Sequence, residues 1–120
     1  AILNYGHTYC HALEAATGYT QILHGEGVAI GMVCASTLAE QLGMVDSQAT
    51  QRQKQLLEKL GLPVTVPAEV SAADLLSLMW RDKKVSSGQL RFVLPTQIGS
   101  VELVESPGQE PILASIEANR

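Results

Sequence analysis

The sequence has few aromatic residues and little charge. Phe, Trp and Tyr together make up 4% of its 120 residues, so we expect a mostly aliphatic core. The formal net charge is −4, and no run of Lys and Arg is long enough to suit an anionic partner. We therefore expect neither a nucleic acid nor a membrane surface to be the main partner.

Long apolar runs and signal segments are also missing. The longest apolar stretch, residues 27–35, is too short and too rich in glycine to cross a bilayer. No secretory signal is visible. Because 46% of the residues are hydrophobic and 17% are charged, we expect one soluble domain, residues 1–120, in the cytoplasm.

Cysteine occurs only twice, at Cys10 and Cys34. Two thiols could form one disulfide, but their positions in the sequence do not show whether they meet in space. Free buried thiols in a reducing cytosol are the favoured interpretation.

Helical patterns fill most of the chain, because apolar residues recur at intervals of three and four. The predicted helices cover residues 7–16, 24–42, 47–60, 72–81 and 111–119. Two β-prone runs, residues 89–94 and 101–104, predict a hairpin. The expected fold is therefore mainly α, a multi-helix domain with one small β-hairpin element.

The second and third helices give more detailed expectations. Residues 28–35 are apolar on all sides, which predicts burial all round. Gly27 and Gly31 lie on one face and allow another helix or a ligand to approach closely. Asp46 or Ser47 is expected to cap the third helix, as Ser71 caps the fourth. The side chains of the third helix expected to face the core are Leu56, Leu57 and Leu60.

The three histidines all lie near the start of the chain, at His7, His11 and His24. His7 and His11 are four residues apart, which places them on one helix face, where they could share a metal ion. Thr8 stands where the zinc-protease motif has its general base, so that function is excluded. Such a pair is also typical of surface or packed histidines, and spacing alone leaves both interpretations open.

The residues around the histidines resemble the 3-dehydroquinate synthase family. Residues 3–14, LNYGHTYCHALE, are similar to its signature Leu-Asn-aromatic-Gly-His-Thr/Ser-x-Gly-His-Ala-x-Glu. Residues 23–26 (LHGE) with 28–32 (VAIGM) resemble its second block. Residues 81–84 (RDKK) and 90–99 (LRFVLPTQIG) resemble its third. Three ordered blocks across nearly the whole chain are far more specific than any one of them.

The resemblance implies a role for each histidine. His7 and His24 match the two histidines that bind the catalytic zinc, for which cobalt can substitute. His11 matches the active-site histidine near the substrate phosphate. Glu14 and Glu26 are expected to support these groups or the helix start rather than to bind the metal. The implied substrate-binding residues are Asn4, His11, His24 and Lys83, with Lys84 as the alternative to Lys83.

The family is one of carbon–oxygen lyases that eliminate phosphate from a seven-carbon sugar acid phosphate in the shikimate pathway, which leads to the aromatic amino acids. Its members use NAD and zinc and are similar in forming homodimers. In such enzymes the NAD site and the third zinc ligand, a glutamate, lie upstream of the segment matched here. The resemblance therefore implies a C-terminal metal- and substrate-binding domain that has no NAD-binding residues of its own. We expect these residues alone to bind zinc weakly and to be inactive.

One residue departs from the family pattern, because Cys10 stands where glycine is usual. We expect it to be accommodated by local repacking, and to point to a different helix face rather than to bind the metal.

Other functions remain open. Related sugar-phosphate cyclases, such as 2-deoxy-scyllo-inosose synthase, share these blocks. Iron-containing alcohol and glycerol dehydrogenases have a similar overall architecture, but the Leu-Asn-x-Gly-His sequence at the start of this chain makes them a less suitable match. A non-catalytic helical interaction module is a third possibility, although the retained site residues count against it.

Overall fold

The computed structural model describes residues 5–18, 22–81, 90–97, 100–105 and 107–120. Within them lie five helices and one two-stranded antiparallel sheet. Their bounds are α1 (His7–Ala16), α2 (His24–Gln41), α3 (Ser47–Lys59), α4 (Ala72–Arg81), β1 (Arg91–Gln97), β2 (Ser100–Glu105) and α5 (Gln109–Glu117). The predicted fold class, mainly helical with a small hairpin, is confirmed.

The bounds of α1 and α4 agree with those predicted, whereas the hairpin differs. Strand β1 continues through Pro95 to Gln97, and the register shifts between these two residues. A proline is tolerated there because each strand of a two-stranded sheet has a free edge. Helix α5 begins two residues before Pro111, since proline suits the first turn of a helix.

Helix α2 forms the centre of the fold and contacts α1, α3, α5 and β1. Most of its residues from Gly27 to Ala39 are buried, as the apolar pattern predicted. The core is largely aliphatic, and its aromatic members include Tyr9 and Phe92, whose ring centroids lie 5.5 Å apart. Cys10 and Cys34 are free and buried, as expected.

The predicted helix caps are present. The Asp46 carboxylate accepts a hydrogen bond from the Ala49 amide, and the Ser71 hydroxyl accepts one from the Asp74 amide, both at 3.0 Å. These bonds satisfy amides that have no partner within the helix.

The prediction for the inner face of α3 was wrong for two of its three leucines. Leu57 is 7% exposed, but Leu56 and Leu60 are 58% and 66% exposed. The buried residues of α3 are Thr50 and Leu57, seven positions apart, so a narrow stripe of this helix faces α2. Leu56 lies about 100° around the helix from Leu57 and falls outside that stripe.

In the described part of the chain, no helix has the length and hydropathy needed to cross a membrane.

Candidate metal and substrate site

Helices α1 and α2 approach so closely that glycine is required on both sides. A Cβ on Gly31 would collide with the carbonyl oxygen of Gly6. A Cβ on Gly6 would lie 2.7 Å from the Met32 nitrogen, and Gly6 has a φ of +78°. Both requirements fix the first turn of α1 against the middle of α2.

Contacts between the two helices continue at intervals of about one turn, in antiparallel order. Gly6 meets Gly31, and Cys10 lies beside Gly27, where an added Cβ would be 2.9 Å from Sγ. One turn further, Glu14 meets His24 at the start of α2, with 3.1 Å between Oε2 and Nδ1. The predicted close approach at the glycines of α2 is therefore filled by α1, and the start of α2 lies beside the second half of α1.

The three histidine rings are neighbours. The ring centroids of His7 and His11 are 5.6 Å apart, and those of His7 and His24 are also 5.6 Å apart. Two imidazoles bound to one tetrahedral zinc through Nε2 have centroids about 5 Å apart. Both spacings are close to what a shared metal ion requires, so distance does not distinguish His24 from His11 as the partner of His7.

Each of these two histidines has an oxygen atom beside Nδ1. His7 Nδ1 lies 3.2 Å from the Tyr5 carbonyl oxygen, and His24 Nδ1 lies 3.1 Å from Glu14 Oε2. A carbonyl and a carboxylate accept hydrogen bonds, so we assign the ring proton to Nδ1 in both residues. The lone pair of each neutral ring is then on Nε2, the arrangement usual for histidines that bind zinc. These donors fit a divalent metal ion.

The two glutamates of the site have different environments. Glu14 has a side chain that is only 17% exposed and meets His24, whose side chain is 61% exposed. Glu26 accepts a hydrogen bond from the Leu23 amide at 2.9 Å and so stabilises the start of α2. These contacts agree with supporting roles for both carboxylates.

Several predicted site residues lie outside the described part of the chain. Asn4, Lys83 and its alternative Lys84 belong to this group. His11 is described, is partly buried, and lies one helical turn beyond His7.

Sequence reasoning missed the position of Cys10. Its Sγ lies 3.8 Å from His24 Nδ1 and 3.8 Å from the His24 carbonyl oxygen, so the side chain contacts His24 at the nitrogen that is not the proposed metal donor. The sequence analysis considered only the faces of α1, whereas His24 comes from α2, which packs on the face that bears Cys10. Burial, together with the neighbouring Glu14 carboxylate, raises the pKa of this thiol to about 12. The signal that could have revealed the contact is Gly27, which leaves room for the sulfur.

The fold and these side chains define a mainly helical domain with a histidine-rich site between its first two helices. Residues 1–85 match the model of the family described as 3-dehydroquinate synthase C-terminal, and the chain belongs to that family. It is 49% identical over 117 residues to a 3-dehydroquinate synthase of Crocosphaera subtropica (strain ATCC 51142 / BH68). That match covers 98% of this chain and 32% of the relative, so the chain spans about a third of the relative's length.

Solved structures share the fold. One is ValA, a 2-epi-5-epi-valiolone synthase from Streptomyces hygroscopicus subsp. jinggangensis 5008 with NAD+ and Zn2+ bound. It has a TM-score of 0.84 and 26% identity, over 97% of this chain and 32% of that one. Another is a 2-deoxy-scyllo-inosose synthase complexed with carbaglucose-6-phosphate, NAD+ and Co2+. It has a TM-score of 0.78 and 24% identity, over 94% of this chain and 34% of that one. At this identity the match is evidence for a shared fold and not for a shared function.

Proposed function

We propose that this chain, residues 1–120, is the metal- and substrate-binding domain of a 3-dehydroquinate synthase. The whole enzyme would convert 3-deoxy-D-arabino-heptulosonate 7-phosphate to 3-dehydroquinate and phosphate, using NAD and a divalent metal ion, zinc or cobalt. The main support is the 49% identity to a 3-dehydroquinate synthase over 98% of this chain.

His7 and His24 are the proposed metal ligands. Hydrogen bonds from Nδ1 to the Tyr5 carbonyl and the Glu14 carboxylate orient both rings and leave both Nε2 atoms as donors. A zinc ion held by these two residues would supply Lewis acidity for polarising an oxygen atom of the substrate. Glu14 holds the His24 ring in one tautomer, which keeps the lone pair on Nε2.

Substrate binding is assigned to Asn4, His11, His24 and Lys83. His11 lies next to His7 on the same face of α1, so its ring can reach a phosphate group on a substrate held near the metal. As a donor to that phosphate, His11 would stabilise the leaving group and is the proposed catalytic residue. A lysine contact would add positive charge opposite the substrate's anionic groups.

The remaining parts of the enzyme would come from outside this chain. NAD would be bound mainly by a preceding domain, which would also supply the third metal ligand. We propose that the full protein is a cytoplasmic homodimer and that these 120 residues alone are inactive.

A related sugar-phosphate cyclase is the second candidate. It is supported by the TM-score of 0.84 to a 2-epi-5-epi-valiolone synthase at 26% identity. The two candidates share the metal ligands and differ in the substrate.

Phosphate release by the full-length protein decides between them. With NAD and zinc present, the proposal predicts release of phosphate from 3-deoxy-D-arabino-heptulosonate 7-phosphate and formation of 3-dehydroquinate. Release only from a sugar phosphate without a carboxylate, either a hexose phosphate or a seven-carbon ketose phosphate, would favour the second candidate. The His11→Ala variant should lose turnover, whereas Arg52→Ala, on the polar face of α3, is the control that should retain it.

A further inference from the structure

Three side chains of types that can bind a metal ion meet at Nδ1 of His24. Cys10 Sγ, a carboxylate oxygen of Glu14 and His24 Nδ1 all lie within 4.8 Å of one another. Sγ is 3.8 Å from Nδ1, and Nδ1 is 3.1 Å from Oε2. Together they offer a sulfur, a nitrogen and an oxygen donor.

The spacing of these atoms suits a tetrahedral ion. Zinc bound to Cys, His and a carboxylate at ordinary bond lengths places the three donor atoms about 3.3–3.6 Å apart. The Sγ–Nδ1 and Nδ1–Oε2 separations of 3.8 and 3.1 Å are close to that range. The sulfur and the carboxylate oxygen lie within 4.8 Å of each other, so both would close around one ion beside Nδ1.

Helix packing holds the three residues together. Cys10 and Glu14 are one turn apart on α1 and project from the same face. The first residue of α2 brings His24 onto that face, and Gly27 leaves space for the sulfur. The His24 side chain is 61% exposed whereas Cys10 is buried, so an ion and a water molecule as fourth ligand would approach from the side of His24.

We propose that Cys10, Glu14 and Nδ1 of His24 form a second site, selective for a thiophilic divalent cation such as Zn2+ or Cd2+. On binding, the thiol proton leaves to solvent, and the ring proton of His24 is held on Nε2 instead of Nδ1. Unlike the proposed His7–His24 centre, this set of three protein donors is complete within the chain.

Because one neutral ring cannot donate both nitrogen lone pairs, occupancy of this site excludes His24 from the centre shared with His7. A thiophilic cation would thereby compete with the catalytic metal. This consequence rests on the proposed function, whereas the existence of the second site does not.

The test is an anaerobic titration of the purified chain with Co2+, followed by absorption spectroscopy. Binding through Cys10 should produce a thiolate-to-cobalt charge-transfer band in the near ultraviolet that saturates at one equivalent. Histidine ligands alone cannot produce that band, so this readout is independent of the proposed catalytic centre. The Cys10→Ala and Cys10→Ser variants should lose the band, whereas His7→Ala should keep it.

Cys34 provides the matched control, because it is the other free buried thiol of the chain. The Cys34→Ala variant should show the same band as the unmodified protein, and circular dichroism checks that each variant is folded. Absence of the band at saturating Co2+ would overturn the proposal. Survival of the band in both folded Cys10 variants would also overturn it.

Discussion

Replacing Gly27 by alanine tests how tightly α1 packs on α2 beside the site. The new Cβ would lie 2.9 Å from Cys10 Sγ, which is closer than van der Waals contact. Relieving such overpacking costs about 1–3 kcal/mol, whereas alanine is favoured over glycine inside a helix by about 1 kcal/mol. The Gly27→Ala variant should therefore lose about 1 kcal/mol of unfolding free energy.

The same substitution should behave differently when the sulfur has been removed. The added Cβ would lie 3.9 Å from the Cβ of Cys10, an ordinary contact that Cys10→Ala preserves. In that background Gly27→Ala should be neutral or stabilising, which gives a coupling energy of about 1–3 kcal/mol between the two positions.

Urea unfolding of the four proteins, followed by circular dichroism, measures this coupling. Gly25→Ala is the matched control, because an added Cβ there meets nothing within 4 Å and the residue belongs to the same helix. If Gly27→Ala had the same effect in the unmodified protein and in the Cys10→Ala variant, the packing argument would be refuted.

Three further predictions test other parts of the structure. Gly31→Ala places a Cβ against the Gly6 carbonyl oxygen and should lower the unfolding free energy by more than about 2 kcal/mol. Urea unfolding measures this change, and a change within about 0.5 kcal/mol would contradict the close approach of the two helices. Glu14→Ala removes the hydrogen-bond acceptor for His24 Nδ1 and should weaken metal binding by the full-length protein about 10–100-fold. Competition with a chelator measures the affinity, and an unchanged affinity would show that this carboxylate does not orient the His24 ring. Burial raises the pKa of the Cys34 thiol from 9.0 to about 12, so the folded protein keeps a proton that the unfolded chain loses. The unfolding free energy should therefore fall as the pH rises from 9.0 toward 12, and Cys34→Ala should reduce that slope; an identical slope in urea unfolding at several pH values would contradict it.

The helices could be predicted from the sequence because their periodic patterns have clear ends. Helix α1 begins directly after Gly6, and Asp46 and Ser71 mark the starts of α3 and α4 with side-chain caps. The hairpin bounds were less accurate, since strand pairing depends on a partner elsewhere in the chain rather than on local preference. The exposed Leu56 illustrates a similar limit, because the width of a buried stripe depends on what packs against it.

The sequence predicted members of the candidate site but not its geometry. Three histidines within a recognisable signature led to the predicted metal and substrate residues, and those roles stay predictions. Their pattern did not show that His24 would meet Glu14, or that Cys10 would face the same ring. Those contacts follow from the antiparallel packing of α1 on α2, which joins residues that are distant along the chain.

The metal content of the full-length protein is the most direct test of the proposed centre. Zinc should be retained at one equivalent by the unmodified protein and by His11→Ala, which changes a neighbouring ring on the same helix. In a Cys10→Ser background, which removes the second site proposed above, the His7→Ala and His24→Ala variants should each lose most of their zinc after dialysis while remaining folded. Unchanged zinc content in both of these variants would contradict the assignment of His7 and His24 as the metal ligands.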